Sequence, residues 1–217
     1  MKKICKMKLT RLILLLALLP VAVMAQKDPE AVKVLSEFSK KAAAAPSVRL
    51  DFDIVAYDSK EDDETEMKGN AVISGDKYRL TLPDNNIWAD GKAVWNYMPD
   101  AKEVTVTGPD PSDESFMSKP SLLFSMYEKG YKVRLLEQNL TEWIIDLYPE
   151  DIRINLVHIR LAIGKTLHDL RSAEYKTKDG MTVTLTVSKY DLSFRPPEGY
   201  FVFSPVDHKG VEVIDMR

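Results

Sequence analysis

Beyond Cys5 the sequence contains no cysteine, and Cys5 itself precedes a short apolar run near the N-terminus. A chain without cysteine forms no disulfide and has no thiol chemistry, so burial of apolar side chains must stabilise it. Clustered basic residues are also scarce. When residues 1–25 and their five basic side chains are left out, the formal charge of −3 becomes −8. This balance argues against nucleic acid as a partner.

Motifs of common enzymes and metal sites are missing as well. His158, His168 and His208 are not at metal-ligand spacing with one another or with a cysteine. The sequence has no Gly-x-Ser-x-Gly and no glycine-rich phosphate loop, which serine hydrolases and nucleotide-binding enzymes use. Asp51 and Asp53 could form a carboxylate pair, but they share the polar face of a strand, where solvated charge is expected. We predict no enzymatic activity, no metal and no cofactor.

Long hydrophobic runs are absent apart from residues 12–24, which are shorter than the ~20 residues that span a bilayer. This run follows five basic residues and ends in Val23-Met24-Ala25, which places small residues at positions −3 and −1 of a cleavage site. The pattern is that of a secretory signal peptide, cut after Ala25. No cysteine follows it, so we expect no lipid anchor. We predict an exported soluble protein with one domain over residues 26–217.

The most strongly patterned stretch runs from Ile87 to Thr107 and reads IWADGKAVWNYMPDAKEVTVT. Asp90-Gly91 predicts a tight hairpin turn, because glycine tolerates the positive φ that such a turn needs. Beyond the turn the residues alternate, with Trp95 and Tyr97 on one face and Asn96 on the other. Alternation with a period of two predicts antiparallel strands with one buried side.

An amphipathic helix is predicted for residues 28–45, with Asp28 as its N-cap and Pro46 beyond its end. Leu35 and Phe38 lie on its apolar stripe, which must pack on the sheet that follows. A second, short helix is predicted for residues 121–129. Because its neighbours are antiparallel hairpins, this helix should cap an open end of the sheet or fill its concave side.

Strands are predicted for most of the remaining chain, and a charged hairpin loop for residues 58–68, whose spacing does not fit a calcium loop. The predicted strands outside the central stretch are residues 47–57, 69–74, 77–82, 131–136, 142–148, 154–163, 166–176, 182–190 and 211–214. The total is about ten or eleven strands with no βαβ unit, and so many antiparallel strands should curl. We therefore predict a mainly β fold, an incomplete barrel with helices as a lid on its concave face.

Five stretches follow in a characteristic order along the chain: Val34-Leu35-Ser36-Glu37-Phe38, Gly75-Asp76-Lys77-Tyr78-Arg79-Leu80, Trp88-Ala89-Asp90-Gly91-Lys92 through Trp95-Asn96-Tyr97 and Pro99, Pro120-Ser121-Leu122-Leu123, and Phe201-Val202-Phe203-Ser204-Pro205 with Gly210-Val211-Glu212-Val213-Ile214-Asp215. In these stretches the sequence resembles the periplasmic outer-membrane lipoprotein carrier family, the LolA-like proteins. One departure concerns the first long strand, where the best-studied members have a basic residue that helps to latch the lid. Here Arg49 precedes that strand, and we assign it no latch.

The resemblance implies an incomplete antiparallel barrel with a helical lid over a cavity for the acyl chains of lipoproteins. It also implies a periplasmic carrier that receives cargo from an inner-membrane lipoprotein-releasing transporter and delivers it to an outer-membrane acceptor. We expect it to act as a monomer. The residues expected to line the cavity are Leu50, Phe52, Ile54, Tyr78, Leu80, Trp95, Tyr97, Trp143, Ile145 and Leu147, and those expected in the lid are Leu35, Phe38, Leu122, Leu123 and Met126.

Each of these residues could instead be plain core. An alternative function on the same architecture is an envelope lipid sensor or a protein-interaction domain that carries nothing. An enzyme acting on lipid or glycan would need carboxylates, or a histidine and a carboxylate, buried in the cavity.

Overall fold

A computed structural model describes residues 27–109 and 119–217. The predicted signal peptide and its cleavage site after Ala25 lie outside the described residues. Within the described ranges, no helix combines the length and the apolar character needed to cross a membrane.

Helix α1, Pro29–Ala44, begins and ends as its sequence predicts. The Asp28 carboxylate accepts hydrogen bonds from the backbone N–H groups of Glu30 and Ala31, at 3.0 and 3.3 Å. The helix ends before Ala45-Pro46, because proline cannot continue the helical hydrogen bonds. Its buried residues form one stripe: Ala31, Val34, Leu35, Phe38 and Ala42.

The sheet has twelve described strands in the order β12-β6-β5-β4-β3-β2-β1-β11-β10-β9-β8-β7. Their bounds are β1 Val48–Asp58, β2 Asp63–Ser74, β3 Lys77–Thr81, β4 Asn86–Ala89, β5 Val94–Met98, β6 Glu103–Thr107, β7 Tyr131–Gln138, β8 Glu142–Pro149, β9 His158–Gly164, β10 Leu170–Lys176, β11 Met181–Asp191 and β12 Glu212–Asp215. The sheet is curled and does not close, since β12 and β7 lie at its two ends. The predicted incomplete barrel is confirmed.

Strand β12 differs from the prediction of a wholly antiparallel sheet, because it pairs in parallel with β6. A parallel neighbour needs a crossover connection. Residues 192–211 supply it by crossing the outer face of the sheet, where Phe203 contacts Trp88 of β4. We call residues 192–217 the tail.

The prediction of a charged loop over residues 58–68 is wrong in its second half. Strand β2 begins at Asp63, and Asp63 pairs with Asp58 across a turn in which Asp62 has a φ of 52°. Backbone pairing does not need apolar side chains, so this end of the hairpin extends into solvent with its acidic residues exposed. Lys68 adds a cross-strand ion pair to Asp53 at 2.9 Å.

Two predicted strands begin later than expected. Strand β9 begins at His158 rather than residue 154, and β10 begins at Leu170 rather than residue 166. The β9–β10 turn contains His168 with a φ of 52°, a left-handed conformation that ends regular strand pairing there. The short helix predicted for residues 121–129 is two 3₁₀ helices, Pro120–Phe124 and Met126–Glu128. We call residues 120–128 the lid.

Strand register assigns each side chain to one of two faces. Leu50, Ala71, Leu80 and Ile87 are paired across β1 to β4 and therefore share the concave or inner face. Helix α1 packs on this inner face over β8 to β10, and the lid packs beside it. The tail covers the outer face over β1 to β6.

Candidate functional site

An apolar hollow of about 200 Å³ lies on the inner face under the lid. We call it the inner hollow. Its walls come from strands β1 to β4, from β10 and β11, and from the lid, and the lining residues are Leu50, Phe52, Ile54, Ala71, Ile73, Leu80, Leu82, Asn85, Ile87, Pro120, Leu123, Leu170, Ala173 and Leu185. All except Asn85 are apolar. The hollow separates two parts of the core, one under α1 and one over β1 to β4.

The lid holds its place mainly through side-chain packing. Among the described residues, the backbone hydrogen bonds of its two 3₁₀ helices run between neighbours within residues 119–128, such as Ser125 N–H to Leu122 C=O at 3.0 Å. The Lys27 ammonium donates to the carbonyl oxygens of Tyr127 and Glu128 at 2.8 and 2.6 Å. A segment with few backbone bonds to its support opens at low free-energy cost.

A wider depression of about 590 Å³ lies beside the inner hollow, on the same inner face of the sheet but nearer its edge, over β4 to β6. We call it the outer trough. Ile87 lines both spaces, so they adjoin. The trough is more polar than the hollow, because Asn96, Thr105 and Thr107 project into it from β5 and β6. Met216 of the tail forms part of its wall.

A third depression of about 390 Å³ separates the end of α1 from the lid. Ile73 lines both this groove and the inner hollow, while Lys119 lines both the groove and the outer trough. The three spaces therefore surround the lid.

Four of the residues predicted for the cavity line the inner hollow together: Leu50, Phe52, Ile54 and Leu80. Tyr78 lies on the same face but lines the outer trough. Alternation along β1 and β3 brings these side chains to one side of the sheet, as the sequence pattern indicates.

Ile145 and Leu147 also lie on the inner face, but α1 covers them. Both are 0% exposed and pack with Leu35 and Phe38 of the helix. Trp143 lies half-buried at the rim of the same region, where its ring is 5.2 Å from that of His168. The Lys165 ammonium lies 5.3 Å from the centre of the Trp143 ring. These three residues therefore support the helix and do not line the hollow.

Trp95 and Tyr97 are on the opposite face, so their prediction as cavity residues is corrected. Trp95 pairs with Trp88, and Tyr97 pairs with Val104, all on the outer side of β4 to β6. The Tyr97 ring lies 5.7 Å from Phe203 of the tail. Alternation groups Trp95 with Tyr97 correctly, but it does not say which face is concave. The tail makes the outer face apolar too.

The predicted lid residues take three positions. Leu123 points into the inner hollow and is 6% exposed. Leu122 lines the groove between the lid and α1. Met126 belongs to the core cluster under α1 together with Leu35 and Phe38, and Phe38 is 5.2 Å from the ring of Phe124. Leu123 is thus the one of these predicted residues that lines the hollow, and Pro120 of the lid lines it as well.

Three polar atoms lie buried near these spaces without a hydrogen-bond partner in the described parts of the chain. They are the carbonyl oxygens of Asn85 and Asn96 and the hydroxyl of Tyr190. Burial between the two core clusters raises the pKa of Tyr190, and the nearby charge of Asp169 raises it further. Tyr190 therefore stays neutral at ordinary pH.

Several lining residues escaped the sequence prediction. Leu82 shares a face with Tyr78 and Leu80, and Leu185 shares one with Val183 and Val187, so alternation could have found both. Asn85 lies in the turn before β4, where no periodicity applies.

The position of Arg49 agrees with the expectation that it does not latch the lid. Its guanidinium lies 5.2 Å from the ring centre of Phe194 in the tail, on the outer face and away from the lid. Arg49 therefore contacts the tail rather than the lid.

A charged network lies on the outer face of β8 to β10. Arg160 donates to Asp146 with two nitrogens, at 2.7 and 2.9 Å, and Tyr148 donates to the same carboxylate at 2.8 Å. Burial alone would raise the pKa of Asp146, but these hydrogen bonds outweigh it and hold the pKa below its usual value. His158 and Glu174 form a neighbouring pair at 2.9 Å. This network is on the face opposite the inner hollow.

Within residues 27–109 and 119–217, no three histidines, cysteines or acidic residues come together as a possible metal site.

A family model described as outer membrane lipoprotein carrier protein LolA matches residues 21–170. This chain belongs to that family. The match spans α1, the lid and strands β1 to β9, and therefore includes most of the walls of the inner hollow. The resemblance read from the sequence is confirmed. No curated protein sequence matches the chain.

Solved structures resemble this chain at low sequence identity. An uncharacterized conserved protein from Thermus thermophilus is 12% identical, and the match covers 86% of this chain and 99% of that one with a TM-score of 0.58. A LolA-superfamily protein from Nitrosomonas europaea is 13% identical over 80% of this chain and 97% of that one, with a TM-score of 0.43. The lipoprotein LppX from Mycobacterium tuberculosis is 13% identical over 77% and 98%, with a TM-score of 0.45. At 12% identity, the Thermus likeness shows the fold alone.

Proposed function

We propose that this protein is a periplasmic carrier that binds acyl chains of lipoproteins on its inner face and moves them from the inner to the outer membrane. The observation that carries the proposal is an apolar hollow closed by a lid, in a chain of the LolA family. The residues proposed to contact the acyl chains are Leu50, Phe52, Ile54, Leu80 and Leu123, with Tyr78 in the outer trough.

The physical basis is transfer of methylene groups out of water. Each buried methylene gains about 0.8 kcal/mol, so ten of them gain about 8 kcal/mol, on the order of a micromolar Kd. Such binding needs apolar surface rather than a precise set of polar groups. The apolar walls of the inner hollow supply that surface.

Entry of an acyl chain requires the lid to move. The inner hollow of about 200 Å³ is smaller than an ordinary ligand pocket, which measures about 300 to 1,000 Å³. The outer trough and the groove beside α1 are the adjoining spaces into which the cleft would widen. Since the lid rests on the sheet through side chains, bound lipid can replace its apolar contacts.

The location and partners proposed here follow from the signal peptide pattern and the family. Residues 1–25 would direct export, and the mature protein would receive cargo from an inner-membrane transporter and pass it to an outer-membrane acceptor. We propose a monomeric binding protein and not an enzyme, because the family is one of carriers.

A transfer assay tests the proposal. Inner-membrane vesicles that contain an acylated lipoprotein are incubated with the mature chain and the energised release machinery, and soluble lipoprotein is measured. We expect soluble lipoprotein with the wild type, and none with Leu123→Asp, because a carboxylate in the inner hollow would meet the acyl chain. Val206→Asp is the matched control, since Val206 is 84% exposed on the tail. Equal release by a folded Leu123→Asp variant would contradict the proposed site.

The second candidate is a lipid-sensing or protein-interaction domain without transport. The observation that favours it is the edge strand β12, whose Val213 and Ile214 are 50% and 36% exposed. An exposed strand edge can pair with an extended peptide of a partner. Soluble lipoprotein that is captured but never delivered to outer-membrane vesicles would support this candidate over the carrier.

A further inference from the structure

Two neighbouring hairpin turns at one end of the sheet expose leucine side chains to solvent. Leu140, in the turn between β7 and β8, is 97% exposed, and Leu167, in the turn between β9 and β10, is 61% exposed. Single exposed leucines are common on protein surfaces, but two adjacent turns that each present one need an explanation. We call residues 139–141 and 165–168 the leucine tips.

Hydrogen bonds join the leucine tips into one unit. The backbone N–H of Lys165 donates to the C=O of Thr141 at 2.8 Å, and the Lys165 ammonium donates to Gln138 Oε1 at 3.0 Å. From helix α1, the Lys41 ammonium donates to the C=O of Leu167 at 2.8 Å. The two leucines are therefore held in a fixed relation at the same end of the sheet.

Backbone groups of the leucine tips are bonded within the tips. Asn139 Oδ1 accepts from the backbone N–H groups of Thr141 and Glu142, at 2.8 and 2.9 Å. In the second tip, the His168 N–H donates to the C=O of Gly164 at 3.0 Å. An N–H group that already has an acceptor loses little when water is removed, so such turns can enter a dehydrated lipid interface at low cost.

The side chains around the leucine tips are of types that favour a membrane interface. Trp143 lies half-buried beside the tips, and its ring centre is 5.3 Å from the Lys165 ammonium. Trp and Lys suit the boundary between headgroups and acyl chains, because each has an apolar part and a polar end. Leu136 of the first hairpin is a further apolar side chain, 48% exposed. Glu137 and Glu142 lie beside the first tip, so the leucines rather than a basic patch must drive attachment.

We propose that the leucine tips insert into the surface of a lipid bilayer and hold the protein there. Projecting turns with bonded backbones fit a fluid apolar layer, whereas a protein partner needs a broad and closely packed surface. Strand β10 follows the second tip, and its first residue, Leu170, lines the inner hollow. The attachment would therefore bring the hollow close to membrane lipid. It goes beyond the proposed function, since a carrier and a lipid sensor would both use it.

Vesicle sedimentation tests the attachment. The mature chain is mixed with vesicles of phosphatidylcholine alone, and the bound fraction gives a partition coefficient. We expect the wild type to bind, and Leu140→Ser with Leu167→Ser to bind about tenfold more weakly, the loss expected for partial burial of two leucine side chains. The matched control is Ile152→Ser with Val206→Ser, at side chains 82% and 84% exposed away from the tips. This control should keep the wild-type partition coefficient.

Tryptophan fluorescence locates the contact on the protein. Trp143 lies beside the leucine tips, whereas Trp88 and Trp95 lie on the outer face of β4 and β5. Lipids with bromine atoms in the upper part of their acyl chains should quench part of the emission of the wild type. Trp143→Phe should still bind vesicles and should lose this quenching. Vesicle binding without quenching of Trp143 would overturn the proposal, because another surface would then hold the membrane.

The outcomes separate attachment from cargo binding. Without vesicles, the double leucine variant should bind a fluorescent fatty acid as the wild type does, because neither leucine lines the inner hollow. A wild type that binds the fatty acid but no vesicles would refute the attachment, leave the leucines to a protein partner and let the proposed function stand. A wild type that binds vesicles but no fatty acid would support the attachment and contradict the proposed function. Equal weakening of the control and the double leucine variant would also refute the attachment.

Discussion

Over β1 to β6 the two faces of the sheet both carry apolar side chains and a cover, but the covers are attached in different ways. On the outer face the tail is held by aromatic contacts, such as Trp88 with Phe203 at 5.3 Å, and by the backbone ladder of β12 with β6. Arg79 lies between Trp88 and Tyr200, about 5 Å from each ring centre. On the inner face the described part of the lid is held by side-chain packing and by hydrogen bonds from the Lys27 ammonium, and it leaves a hollow beneath it.

This difference separates stability from binding. A cover with ladder bonds and close aromatic packing should remain in place until the protein unfolds. A cover that packs through Leu123 above a hollow can be displaced by a ligand with similar apolar surface. Substitutions on the outer face should therefore change the free energy of unfolding, and those on the inner face should change lipid affinity.

The largest expected effect on stability is that of Trp88→Ala. Trp88 is 4% exposed and contacts both Phe203 and His208, so its removal leaves a cavity under the tail. We expect a loss of about 3 to 5 kcal/mol in the free energy of unfolding, measured with urea. Affinity of the remaining folded protein for a fluorescent fatty acid should be unchanged. Leu140→Ala, at a side chain 97% exposed, is the control that should leave both quantities near wild type. Loss of lipid binding by folded Trp88→Ala would remove the distinction between the faces.

Asp146→Asn tests the charged network of the outer face. Its hydrogen bonds with Arg160 and Tyr148 should make the variant about 1.5 to 3 kcal/mol less stable at pH 7. The folded-state pKa of Asp146 is lowered, so its contribution is present above its unfolded pKa of about 3.9 and is lost as the pH falls through the folded pKa. The stability difference between wild type and variant should therefore shrink below about pH 4. Urea unfolding at pH 7, 4, 3 and 2 measures it, and a constant difference would contradict the assignment.

Gly69→Ala tests the inner face, where we expect a change in lipid affinity. A Cβ at Gly69 would lie 2.7 Å from Phe52 and 2.7 Å from Leu82, both of which line the inner hollow. The Phe52 ring can move into the hollow. The loss in the free energy of unfolding should therefore stay near the lower end of the range for overpacked cores, about 1 to 2 kcal/mol. Filling the hollow should weaken fatty acid binding severalfold. Leu140→Ala, at a side chain 97% exposed, is again the control for both measurements. Unchanged affinity in Gly69→Ala would place the acyl chain elsewhere.

The smallest effect is expected at the rim of the inner face. Burial and the ammonium of Lys41, 3.5 Å from His168 Nδ1, lower the pKa of His168. Because the folded state disfavours protonation of His168, the contribution of His168 to the free energy of unfolding should be complete above its unfolded pKa of about 6.5. This contribution should fall as the pH drops below that value. His168→Asn keeps the left-handed backbone conformation and should remove this part of the pH dependence. Thermal unfolding from pH 7.5 to 5 measures the effect, and identical profiles for the two proteins would contradict it.

Sequence periodicity predicts much of the fold. Alternation places Leu50, Phe52 and Ile54 on one face, and the apolar residues of the lid mark a helical segment between strands. Alternation cannot say which face of a curled sheet is concave when both faces are apolar. For this reason the sequence prediction places Trp95 and Tyr97 on the wrong face of the sheet. Which residues α1 covers, such as Ile145, depends on where the helix docks, and its own sequence does not give that position.

Two other features depend on long-range contacts. The parallel pairing of β12 requires the tail to cross the sheet, and no local pattern in residues 212–215 indicates a parallel partner. Asn85 lies in a turn, and its position in the hollow follows only from how β3 and β4 pair.

The most direct test of the central claim is to map where an acyl chain lies. A palmitic acid with a photoreactive diazirine at the chain end is bound to the mature protein, irradiated, and located by mass spectrometry of peptides. The account predicts labels on inner-face residues such as Leu80, Leu185 and Leu123, which excess unlabelled palmitate prevents. Labels on Trp95 or Tyr97, or labelling that unlabelled palmitate does not reduce, would contradict it.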